Sequence, residues 1–205
     1  MTTASTSVAP IYLADIETGG RPGPHLNMIE AAKAQGSEYW QIWHLFAFRP
    51  EMTIHLGRFT HALMHEPGPI TPALRELIAA YTSRLNDCAF CMKSHAAVTA
   101  HLFHDESLVA SVLADLDASP LPENEKALLR FVQKVTRDSS HVEPGDIELL
   151  HQAGWEDAAI YYAITVTALF NFYNRWISAN GVHAVSDEGH RHHAAKIAEK
   201  GYIRD

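Results

Sequence analysis

The residues with the most chemistry in this sequence lie in "NDCAFCMKSHA", residues 86–96. Cys88 and Cys91, three apart, are the chain's only cysteines, and His95 follows four residues later. On a helix, positions three and four apart share a face. Cys88, Cys91 and His95 therefore form one row, continued by Val98 and Leu102, reactive at its start and apolar at its end. Cysteines at i and i+3 can bring their Cα atoms to about 5 Å, within the span of a disulfide. A helix N-terminus stabilises a thiolate, and so does a nearby imidazolium. The first effect favours Cys88 and the second Cys91. A dipole supplies ~0.3–1 kcal/mol in exposed settings and ~2 at most, whereas a close opposite charge moves a pKa by ~1–3 units. The comparison makes Cys91 the expected thiolate.

The preceding helix adds a carboxylate. Thr71 suits an N-cap and Pro72 the first helical position. Leu74, Leu77, Ile78, Tyr81 and Leu85 then form an apolar stripe of helical period. The opposite face carries Glu76, Ala79, Ala80 and Ser83. Small residues there let another helix approach closely and bring Glu76 into a shared interior, where it can relay protons beside a thiol and an imidazole.

Other readings of the same atoms follow from coordination chemistry. The cysteines and His95, with His101 or His104 as a fourth ligand, spell a zinc set, though ligands along one helix face suit a tetrahedral ion badly. His190 and His193, spaced i and i+3 within "HRHH", could bind a transition metal, or form a solvated polar face. Asn171, Asn174 and Ser178 form a polar row on a long helix, either lining a site entrance or bonding between helices; the second is the expected use.

These residues need a scaffold, and the pattern is helical throughout. Candidate helices cover "LNMIEAAKAQG", less cleanly "SEYWQIWHLFAF", then 51–65, 71–86, and 87–103 with Asn86 or Asp87 as its cap. Further ones follow "SPLPENEK", cover "EPGDIELLHQAG" up to Gly154, run from 156 to 179, and end with a polar helix in "SDEGHRHHAAKIAEKG". Sustained alternation is absent, so the fold class is all-α. The expected organisation is an irregular arm (1–25), a helical domain (26–181) and a histidine-rich polar segment (182–205). At 205 residues with 47% hydrophobic and 20% charged, the chain can build a real core. A net charge of −8 without basic runs argues against nucleic acid and anionic membranes as partners. The first twenty residues lack the basic and apolar regions of a leader, so the expectation is a cytoplasmic protein. A lone Cys-x-x-Cys in a reducing compartment points to redox or metal chemistry. The aromatic stretch 39–48 is rich enough in large apolar groups to suggest an interface with another subunit.

"ELIAAYTSRLNDCAFCMKSH" contains Glu, eleven residues, Cys-x-x-Cys, three residues and His. That pattern resembles the alkylhydroperoxidase D-like group of the carboxymuconolactone decarboxylase superfamily. "LMHEPGPITPALRELI" and "FNFYNRWISANGV" look like its peroxidase-related subgroup. The resemblance implies an all-helical fold assembling as trimers, hexamers or larger rings, and a thiol peroxidase that needs no metal or haem cofactor. It makes Cys91 the peroxidatic thiol, Cys88 the resolving thiol, and Glu76 and His95 the proton relay. The implied substrate is an organic hydroperoxide or hydrogen peroxide, and the implied reductant a dithiol, lipoyl-bearing or thioredoxin-like. Phe90 departs from the group's best-characterised peroxidases, which have histidine there. The competing reading is a non-catalytic redox-sensing or metal-binding helical module using the same cysteine pair.

Overall fold

The computed structural model describes residues 9–204; the first eight residues of the expected arm, and Asp205, lie outside them. All regular structure among the described residues is helical: α1 (Ala14–Thr18), α2 (Pro24–Gln35), α3 (Ile42–Phe48), α4 (Pro50–Met64), α5 (Pro72–Leu85), α6 (Ala89–Phe103), α7 (Glu106–Ala114), α8 (Glu123–Asp138), α9 (Pro144–Gln152), α10 (Asp157–Ala179) and α11 (Asp187–Lys200). None is long and apolar enough to cross a membrane.

The centre is α5, which packs against α6, α8 and α10. Its start is fixed as its residues dictate: Thr71 Oγ1 accepts from the Leu74 amide at 3.2 Å, and Pro72 fills the first turn. Ten consecutive residues, Leu74 through Ser83, are buried on every side, which is why the face opposite the leucine stripe holds small residues. Arg75 is fully enclosed and donates to the Leu63 carbonyl at 2.7 Å and to that of Glu66 at 2.8 Å, tying down the turn before the helix.

The α5–α6 turn differs from expectation at one position. Neither Asn86 nor Asp87 caps α6; Cys88 is the N-cap residue. Asn86 is drawn away to donate to Asn171 and Asn174 at 3.1 and 2.9 Å. Asp87 sits at φ 53°, its side chain in solvent. The sequence reading also passes over α7, whose buried stripe is only Val109 and Val112 behind an Asp105 cap. Two residues are too few to show a period.

The last helix is not a solvated polar face. α11 packs along α6 and buries His190, His193, Ala194 and Ile197, spaced 3, 4 and 7 as a core stripe should be. The aromatic stretch 39–48 meets this stripe: Trp40 lies 4.9 Å from the His193 ring and 5.7 Å from Phe90. Trp40, Leu45 and Phe46 are thus buried within the chain, and that stretch is corrected from subunit interface to intramolecular core.

Candidate functional site

Helix α6 carries Cys91 and His95 one turn apart as their spacing requires, with Cys88 at its N-cap. Cys91 is 1% exposed, with Val98 buried two turns on and His95 between them with a 12% exposed side chain. Cys88, at the N-cap, is 3% exposed. Glu76, 2% exposed on α5, directs Oε2 to His95 Nδ1 at 2.6 Å. The structure thus brings together all four residues expected from the sequence. A buried carboxylate needs such partners, since isolated burial of its charge is costly.

The thiols differ in acidity, and opposite to expectation. The Cys88 thiol is lowered to about 6, chiefly because the Cys91 thiol hydrogen-bonds it. The Cys91 amide, Ser178 and Asn174 favour the charged form further, against the effect of burial. Cys91 is raised well above 9 by burial and by its bond to Cys88. The expected Cys91 thiolate is opposed by burial, the largest cause, and by the bond to Cys88. Cys88 is therefore the more acidic thiol of the pair.

Exposure to ligand runs the other way. A cavity of about 80 Å³ opens onto Cys91 and His95, with Cys88 outside its walls. Its walls are mainly apolar, including Trp40, Trp43, Phe90 and Phe170. An apolar cavity of about 150 Å³ holds benzene, so this one accepts a small group without rearrangement. Phe90, where a histidine was the pattern, walls the cavity and packs edge-on against Trp40.

The polar row of α10 bonds between helices, the use expected for it, and does not line the cavity. Asn171 and Asn174 accept from Asn86, and Asn174 donates to Ser83 Oγ at 2.9 Å. Asn174 also faces both sulfurs and Ser178 faces Cys88, each favouring the thiolate. One site residue was missed: the Tyr202 hydroxyl donates to Glu76 Oε1 at 2.6 Å. Its only sequence signal is an aromatic residue next to Gly201. Among the described residues no cluster of three or more potential ligands has metal-binding geometry.

Residues 50–134 match the model of the carboxymuconolactone decarboxylase family. Among curated proteins, no sequence matches. The fold is similar to an uncharacterized peroxidase-related protein from Silicibacter sp. TM1040 (TM-score 0.77, 24% identity, covering 91% of this chain and 98% of that one). It is similar too to an alkylhydroperoxidase AhpD core protein, uncharacterized and peroxidase-related, from Ralstonia eutropha JMP134 (0.76, 22%, 97% and 100%). A third similar structure is a cysteine-to-alanine variant of the debrominase Bmp8 in complex with 2,3,4-tribromopyrrole (0.66, 16%, 97% and 98%).

Proposed function

We propose, from the match of residues 50–134 to the carboxymuconolactone decarboxylase family model and from the site geometry, that this chain is a thiol-dependent peroxidase acting on small organic hydroperoxides. The carrying observation is the placement of Cys91 and His95 on one apolar cavity, with Glu76 behind the imidazole. An apolar wall rewards an organic body over hydrogen peroxide.

The resting proton on Cys91 passes across the sulfur–sulfur hydrogen bond to Cys88. The Cys91 thiolate attacks the terminal peroxide oxygen: an S–O bond forms, the O–O bond breaks, and the alkoxide takes a proton through the Glu76–His95 relay. Cys88 then attacks the Cys91 sulfenic acid. The disulfide forms, and hydroxide leaves with the Cys88 proton as water. A dithiol, lipoyl-bearing or thioredoxin-like, returns the pair to its reduced form.

The aromatic walls favour a second reading, with a halogenated heteroaromatic ring as the substrate. There Cys91 would take the bromine, the ring carbon a proton, and Cys88 would displace bromide as the disulfide forms.

The test is consumption of ethyl hydroperoxide by pre-reduced protein with dihydrolipoamide or reduced thioredoxin. Turnover faster than with hydrogen peroxide is expected. Bromide release from a bromopyrrole without peroxide turnover would select the second reading. Disulfide formation without turnover on either substrate would leave a redox sensor.

A further inference from the structure

A carboxylate as enclosed as Glu76 has two oxygens to satisfy, and His95 accounts for one. The other accepts from Tyr202 at 2.6 Å, a length typical of a hydroxyl donating to a charged oxygen. Tyr202 comes from the turn after α11, and that turn is held at three points. Gly201 sits at φ 66°, where an added Cβ would collide with the His61 ring, so only glycine lets the chain pass there. The Tyr202 amide donates to His61 Nδ1 at 3.1 Å. Arg204 Nη1 donates to the carbonyls of Gly201 and Ile203 at 2.8 and 2.7 Å. The Tyr202 ring then lies nearly parallel to that of His95, 26° apart, and borders the cavity.

We propose that Tyr202 is a positioning residue of this site: its hydroxyl holds the Glu76 carboxylate aimed at His95, and the Gly201–Arg204 turn delivers it. The phenol does not serve as the acid itself. Burial, and then the Glu76 carboxylate, push its pKa well above the usual value, so the hydroxyl remains a donor throughout the working range. The consequence is directional. Without that donor Oε1 is left buried without a partner, the carboxylate loses its aim, and its bond to His95 Nδ1 weakens.

The activity readout of this proposal rests on the peroxidase reading, but its structural readout does not. In Tyr202→Phe, which keeps the ring, the NMR signal of the His95 Nδ1 bonded to Glu76 should move toward that of an imidazole without the bond. The kcat for ethyl hydroperoxide should fall roughly tenfold at unchanged KM. Gly201→Ala, by displacing the turn, should reproduce the change in the His95 signal. An unmoved His95 Nδ1 signal in folded Tyr202→Phe overturns the proposal. If the unmodified protein consumes no peroxide, the functional reading falls while the His95 signal still decides the role of Tyr202.

Discussion

Glu76 and His95, on different helices and nineteen residues apart, meet at 2.6 Å in the interior. Each is held by its own helix: Glu76 within the fully buried run of α5, His95 one turn below Cys91 on α6. Glu76→Gln keeps the volume and removes the charge. We expect kcat/KM for peroxide to fall about 100-fold, the low end for loss of a proton relay. The stability cost should be ~1–3 kcal/mol in urea unfolding, because one amide face no longer matches its partner. An unchanged rate would remove Glu76 from the relay.

The two sulfurs make a separate prediction, since the acidic thiol is not the one facing the cavity. Thiolate absorbance at 240 nm should titrate near pH 6 in the reduced protein. The folded pKa of Cys88 lies below its unfolded value of 9.0. Its contribution to stability is therefore present above pH 9 and lost as pH falls through 6. Cys91→Ser should abolish peroxide consumption. Cys88→Ser should accumulate a sulfenic acid on Cys91 that dimedone labels. Label on Cys88 in Cys91→Ser, with none on Cys91 in Cys88→Ser, would reverse the roles.

The site was legible where the chemistry is local. Cys88, Cys91 and His95 share a row by spacing alone, and Glu76 was betrayed by small neighbours on its face. What stayed hidden depends on distant segments. Tyr202 reaches Glu76 from 126 residues away, and no local pattern encodes that contact. The polarity of α11 misled for a related reason: histidine reads as polar, yet His190 and His193 fill a core stripe against Trp40. The acidity order of the cysteines failed because depth, which penalises the charge on Cys91, is invisible in a spacing.

Those buried histidines should make the fold acid-sensitive. His25, His44, His190 and His193 are each lowered to about 4, mainly by burial. Nε2 of both His190 and His193 is buried without a partner, so protonation would enclose an unpaired charge. Unfolded histidines gain protons below about pH 6.5, while the folded ones do not until near pH 4. Stability is thus fully present above 6.5 and lost as pH falls toward 4. We expect the melting temperature to drop steadily over that window, with a shallower slope in His193→Leu. A pH-independent melting temperature between 6.5 and 4 would refute this.

Assembly must be argued from different residues than the sequence suggested. With the 39–48 stretch buried internally, the large apolar groups left outside include Phe59 on α4 and Phe172 on α10, each about half exposed. The two helices are in contact, joined by the Thr60–Tyr173 hydrogen bond at 2.7 Å one residue from each phenylalanine. Phe172 also stacks on Trp176 at 5.8 Å, which fixes its ring in place on the surface. Large apolar groups left exposed on two contacting helices are costly in water and suit a partner surface. We expect sedimentation equilibrium to show a homo-oligomer, trimeric or hexameric, and Phe172→Glu to convert it to a monomer with an unchanged helical spectrum. Because neither residue touches the cysteine pair, the monomer should still form the Cys88–Cys91 disulfide on oxidation. A wild-type mass that stays monomeric at every concentration would show that this face is simply solvated.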